Sequence, residues 1–163
     1  MSTASFKVFM KIAISILLFS TSLIPKTLYS QNPVVFKVES KAVVDCLAKA
    51  IYHEARGTGE RSMVAVGHVV LNRTKHPKFP SGICQVINQP MQFSWVGSGA
   101  TITESSQWKL ANKVAMQVLY GVVDVTNGST HFHSSLLDVD WSSTKMVKTV
   151  AIGGHQFYRL VGK

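Results

Sequence analysis

Glu54 is the residue in this sequence best placed to move a proton. The chain holds only eight acidic residues. Val43, Leu47, Ala50 and Glu54 follow one another at spacings of four, three and four, which puts them on one face of a helix. Glu54 is the one acid that periodicity sets on an apolar helix face, and Gly57 and Gly59 follow within a turn. A carboxyl group there loses hydration, which raises its pKa above a reference of about 4.3. Protonated near neutral pH, it can donate a proton as a general acid. The competing role is structural, with a buried Glu54 paired to Arg56 or Arg73.

Two other sets of residues could do chemistry. His131 and His133 alternate in a β-prone stretch, so both rings face the same side. Two histidines and a glutamate can bind zinc. However, the chain has no HExxH motif, and His53, next to Glu54, is expected to point off the Glu54 face. No metal and no cofactor is therefore expected. Cys46 and Cys84 are the two cysteines. In an exported chain they would form a disulfide, contributing about 3–4 kcal/mol by closing a loop of about forty residues. Two buried free thiols are the alternative, and neither cysteine belongs to a CxxC pair.

Positioning these groups falls to a few elements. Ser40 caps a helix over about 41–55, which Gly57 and Gly59 end. A second helix spans 60 to about 73. Val64, Ala65, Val66, Val69, Val70 and Leu71 make it apolar nearly all round, so it should be buried. Gly67 costs that helix about 1 kcal/mol relative to Ala, a cost best explained by close packing on another helix. Pro77 and Pro80 impose a loop, a short helical piece fits 83–87, and 89–99 reads as loop. A third long helix runs over about 104–119. Asn127-Gly128 marks a turn. The β-prone runs 145–152 and 155–161 flank Gly153-Gly154 as a hairpin. Helices first and a small antiparallel sheet later make an α+β fold.

Length and composition agree with one compact domain. Apolar residues make up 46% of the 163 and charged residues 15%, which excludes a disordered chain. The formal net charge of +9 favours polyanions, but the basic residues are scattered and no nucleic-acid motif is present, so nucleic acid is not the expected partner. Lys7 and Lys11 precede an apolar stretch from Ile12 to Phe19, followed by Ser20, Thr21, Ser22 and Pro25. That order is the pattern of a secretory signal, too short for a convincing membrane span. Residues 1–30 are read as signal peptide and short linker, and 31–163 as the catalytic domain. Pro33 and the alternation of Val34, Phe36 and Val38 suggest an extended run. Membrane contact is expected only through the leader if it stays uncleaved.

The segment Tyr52-His53-Glu54-Ala55-Arg56-Gly57 resembles the signature of the SleB-type cell-wall hydrolase family, named for a spore cortex-lytic enzyme. The resemblance extends through Cys46-Leu47-Ala48, Val64-Ala65-Val66, Val69 to Arg73, Phe79-Pro80, Cys84 and Gln92-Phe93-Ser94-Trp95. It continues through His131-Phe132-His133, Trp141 and Ile152 to Tyr158. The ordered series covers about 45–159, nearly the whole mature chain. It implies a mainly helical, lysozyme-like fold and muramidase-type chemistry on peptidoglycan glycan strands, with Glu54 as the catalytic acid. The chain departs from the family pattern at Thr58, where an acidic residue is usual, and near Met63, where glutamine is common.

Ordinary glycosidases use two carboxylates about 5–9.5 Å apart. No second acid stands out here: Asp45 is more than two turns away, Glu60 lies past the glycines, and Asp138 and Asp140 sit in a loop. A lone acid suits a lytic transglycosylase, which several members of the family resemble. The C6 hydroxyl of the same muramic sugar is then the nucleophile, and no positioned water is needed. Hydrolysis by the same acid is the close alternative. A zinc-dependent peptidoglycan amidase or peptidase, using His131 and His133, and a non-catalytic wall-binding module are the rivals. Asn72 is a candidate to hold an acetamido group or water near Glu54, or else to cap its helix. Gln92, Ser94 and Trp95 lie in a loop where sites tend to occur. Their side chains suit sugar hydroxyls and a sugar face, although Phe93 and Trp95 could simply plug the core. One of His131 and His133 should border the groove, and Tyr158 could reach it. The expected protein is an exported monomer of the periplasm, cell envelope or extracellular space.

Overall fold

The computed structural model describes residues 39–139, 141 and 145–161. The leader, the extended run at Val34, Phe36 and Val38, and Asp140 lie outside the described residues. Four helices precede a small sheet: α1 (Lys41–Ala55), α2 (Glu60–Thr74), α3 (Ile83–Ile87), α4 (Ser105–Leu119), then β1 (His131–Ser134), β2 (Met146–Ile152) and β3 (His155–Leu160). The fold is α+β and mainly helical, with an antiparallel sheet in the order β1-β3-β2.

Local chemistry sets the element ends. The Ser40 side chain accepts a hydrogen bond from the Val43 N–H at 3.4 Å, capping α1. After Arg56 the chain needs positive φ at Gly57 (80°) and Gly59 (92°), which L-residues rarely adopt. Glu104 occupies the N-cap position of α4, and its carboxylate turns to Arg56 Nε at 3.1 Å. The β2–β3 turn places Gly153 and Gly154 at φ 57° and 79°, as a tight primed hairpin requires.

Helix α2 is the hub. Its apolar residues are buried nearly all round because it has neighbours on both sides. One flank meets α1 and α4, where Val64, Val66 and Val70 join Leu47, Ile51, Val114 and Val118. A Cβ at Gly67 would stand 3.0 Å from Val118 Cγ2 and 3.2 Å from Ile51 Cδ1, so the small residue does serve close helix packing. The other flank, Ala65 and Val69, packs under Ile152 and Phe157 of the sheet. His68 directs Nδ1 to the Val64 carbonyl at 2.9 Å and Nε2 to the Val122 carbonyl at 3.0 Å, tying the exit of α4 to α2. The hairpin turn presses on the first turn of α2: a Cβ at Gly153 would fall 2.5 Å from Ser62 Cβ. Cys46 and Cys84 form a disulfide that joins α1 to α3 across 38 residues. Among the described residues no helix is long and apolar enough to cross a membrane.

Candidate active site

Glu54 lies one residue before the end of α1, partly buried. Trp95, delivered by the loop after α3, donates its indole N–H to Glu54 Oε1 at 2.9 Å. Burial pushes the Glu54 carboxyl above its usual pKa, and the Trp95 hydrogen bond and the positive charge of Arg73 pull it part of the way back. The net effect favours the protonated form, the state a general acid needs.

The structural alternative for Glu54 does not hold as an ion pair. Arg56 is committed to Glu104. Arg73 lies close enough to act on Glu54 through its charge, but its Nε donates to the Thr130 carbonyl at 2.7 Å. The other described acids are engaged or exposed, apart from Glu39, which is half-buried just ahead of α1. Asp45 pairs with Lys41, Glu60 with Lys113, Asp124 accepts hydrogen bonds within a turn, and Asp138 is exposed. Among the described residues, none is seen facing Glu54 as a second carboxylate.

Trp95 organises the wall around Glu54. Its ring stacks on His53, with centroids 4.6 Å apart and planes 20° from parallel, and tilts against Phe93 at 5.9 Å. His53 and Glu54 are linked through Trp95, which stacks on the one and donates to the other across the end of α1. Burial, then Arg56 and Lys49, lower the His53 pKa and keep the ring neutral at neutral pH. Phe93 is buried and is the core plug of this loop, whereas Trp95 both packs and donates. Gln92 and Ser94 are exposed beside it, and neither shows a side-chain hydrogen bond within the described residues. Met91, fully exposed with φ 62°, marks a strained tip on the same loop.

A second cluster of rings lies on the sheet. The β1–β3 register sets His131 opposite Tyr158 and His133 opposite Gln156. His133 Nε2 meets the Tyr158 hydroxyl at 3.1 Å and the two rings stack at 5.3 Å. Trp141 touches His131, His133 and Tyr158, so the two histidines do share a face. His131 Nδ1 is paired with Thr130 Oγ1 at 2.9 Å and His133 Nδ1 with the Ser134 carbonyl at 2.8 Å. Among the described residues no three His, Cys, Asp or Glu side chains gather as metal ligands.

Asn72 is not the cap of its helix, and its amide nitrogen is committed within the fold. Its amide nitrogen donates to Asp124 Oδ2 at 2.9 Å, the Ser129 carbonyl at 3.0 Å and Thr126 Oγ1 at 3.3 Å. It anchors the 124–129 turn to α2, while the C-cap position belongs to Lys75. Residue type and position could not reveal this, because the acceptors lie more than fifty residues away. Arg73 was considered only as a structural partner of Glu54. Its place between the rings of Phe79 and Phe93 emerges from the fold alone.

A family described as cell wall hydrolase matches residues 57–158. The chain belongs to that family. The family match begins just after Glu54, and the wider comparisons extend beyond it. The chain is 43% identical over 53 residues to the spore cortex-lytic enzyme of Bacillus subtilis, covering 32% of this chain and 17% of that protein. With the Bacillus cereus spore cortex-lytic enzyme it shares 28% identity over 129 residues, or 79% of this chain and 45% of the relative. It thus spans less than half the length of these curated relatives. The crystal structure of the catalytic domain of the Bacillus cereus SleB protein superposes with a TM-score of 0.63 at 27% identity, covering 74% of this chain and 92% of that domain. The catalytic domain of the germination-specific lytic transglycosylase SleB from Bacillus anthracis gives 0.61 at 27% identity, covering 74% and 97%. Within this family fold, the larger groove, about 860 Å³ between α1 and α4, opens on the face of α1 away from Glu54. A smaller one, about 430 Å³, lies against Trp95 and His53 with Lys49 and Asn88 on its rim.

Proposed function

We propose that this cell wall hydrolase cleaves the glycan strands of peptidoglycan between N-acetylmuramic acid and N-acetylglucosamine, as a lytic transglycosylase with Glu54 as its catalytic acid. The observation that carries the reading is a poorly hydrated carboxyl held by the indole N–H of Trp95. The similar catalytic domain from Bacillus anthracis, a germination-specific lytic transglycosylase, supports the same chemistry.

Glu54 gives its proton to the bridging oxygen as the C1–O bond breaks. The resulting carboxylate takes the proton of the C6 hydroxyl as that oxygen bonds to C1, which closes a 1,6-anhydro ring and restores the acid. An attached nucleophile replaces a positioned water, which fits a site lacking a described second carboxylate. Gln92, Ser94 and Trp95 in the loop after α3, and His131, His133 and Tyr158 on the sheet, are assigned to the sugar rings and hydroxyls. The protein is read as a monomer acting without a cofactor on an extracytoplasmic wall. Residues 1–30 serve as leader and linker, and 31–163 as the catalytic domain.

Mass spectrometry of digested sacculi tests the reading. Anhydromuropeptides are the expected products. Reducing muramic ends would assign the chemistry to a hydrolytic muramidase with the same acid, and chelator-sensitive release of peptides would assign it to a zinc amidase. No release at all would leave a wall-binding module.

A further inference from the structure

The site holds a cation that the reaction above does not use. Arg73, in the last turn of α2, is 5% exposed. Its Nε donates to the Thr130 carbonyl, while Nη1 is buried without a hydrogen-bond partner. A buried guanidinium N–H without an acceptor is costly, and such exceptions need a reason. The guanidinium carbon lies 5.3 Å from the Phe79 ring centre and 5.6 Å from that of Phe93. Each ring leads to a different cluster. Phe93 touches Trp95, which donates to Glu54; Phe79 touches His131 at 5.9 Å. A purely structural stitch from α2 to β1 would explain the Nε bond. It would not explain a full charge sealed between two rings with Nη1 left without an acceptor.

We propose that Arg73 is a positioning residue for Glu54: a buried guanidinium, clamped between Phe79 and Phe93 and tied to the Thr130 carbonyl, whose fixed positive charge steadies the carboxylate left once Glu54 has given up its proton. The proposal rests on Glu54 being the acid of the reaction. Between the two proton transfers Glu54 carries a negative charge in a poorly hydrated place, where a fixed cation acts far more strongly than in water. Clamping by two rings and a carbonyl means the cation needs no rearrangement at that moment.

The groups facing Glu54 are few among the described residues. It meets the Arg73 charge from α2 and the Trp95 N–H from the loop after α3. The shift agrees in direction, since Arg73 lowers the raised Glu54.

Arg73→Gln keeps an N–H for the Thr130 carbonyl and removes the charge, while Arg73→Lys keeps the charge. The midpoint of Glu54 is read by NMR titration of the folded chain without substrate, beside kcat and KM profiles on sacculi. In Arg73→Gln this midpoint should rise, and the alkaline limb of kcat should move to higher pH. Its plateau should fall about 10–100-fold, with KM within about twofold. Arg73→Lys should restore the midpoint. A folded Arg73→Gln protein with an unmoved midpoint overturns the proposal. If that variant does not fold, Arg73→Met, which keeps an unbranched stem between the two rings and removes the charge, carries the same test: a raised Glu54 midpoint supports the proposal and an unmoved one overturns it. A shifted midpoint in a chain that releases no glycan fragments would uphold the electrostatic role and sink the proposed function instead.

Discussion

Glu54 and Asp124 are both partly buried carboxylates, and the fold treats them in opposite ways. Glu54 receives one hydrogen bond among the described residues, from Trp95. Asp124 receives four: from the Thr126 N–H at 2.7 Å, the Thr126 hydroxyl at 2.6 Å, Asn72 at 2.9 Å and the Gly128 N–H at 3.1 Å. For Glu54, burial wins and the pKa rises. For Asp124, burial alone would raise it, but the donors from Thr126, Asn72 and Gly128 outweigh burial and the pKa falls. Deeper burial with one donor, against shallower burial with four, separates the proton donor from the anchor.

The comparison breaks most directly at Glu54. Glu54→Gln should lower release of glycan fragments by about 10²–10⁴-fold, the usual worth of a general acid, with the fold intact by circular dichroism. Full activity in that variant would remove Glu54 from the mechanism. At the other carboxylate the loss should be in stability. Asp124→Ala strands the donors of Asn72, Thr126 and Gly128, costing about 1–3 kcal/mol in denaturant unfolding, while kcat in the cold stays near wild type. A large fall in kcat without a fall in stability would erase the distinction. Trp95→Phe keeps a ring on His53 but removes the N–H from Glu54. We expect about a tenfold lower kcat, near the worth of one hydrogen bond to a charged group, and an alkaline limb moved to higher pH, because the carboxylate loses a stabilising donor.

The smallest effects are opposite slopes of stability against pH. Folded Glu54 binds its proton more tightly than the unfolded reference of 4.5, so its term weakens the fold as pH rises through the window above 4.5. Folded Asp124 binds its proton less tightly than the reference of 3.8, so its stabilisation is present above 3.8 and is lost as pH falls below it through the folded pKa. Glu54→Gln should therefore unfold at higher temperature than wild type near pH 7, with the gap closing toward pH 4. Equal gaps at both pH values would mean that the carboxylate is well solvated.

Much of the architecture was legible because its signals are local. Ser40, Gly57 and Gly59 delimit α1 at the expected residues, and the short α3 and the Gly153-Gly154 hairpin stand where the pattern put them. Gly67 was read correctly as a packing residue because a glycine inside an apolar helix needs a close neighbour. Glu54 was legible for a similar reason: helical period alone sets it on the side that loses water. The partners were harder. Trp95 reaches Glu54 across 41 residues and Asn72 reaches Asp124 across 52. Nothing in the spacing of the loop at 89–99 shows which way an indole N–H will point.

The one-dimensional chain thus determined which segments become helix or strand, which helix is central, and which acid is short of water, because caps, glycines and apolar period act within a few residues. Tertiary structure alone decided who answers that acid. It gave Trp95 and the charge of Arg73 to Glu54, gave Asn72 to Asp124, and stacked His133 on Tyr158. Those pairings depend on how α2 is wedged between helices and sheet, and packing of that kind is a property of distances in space that sequence spacing does not carry.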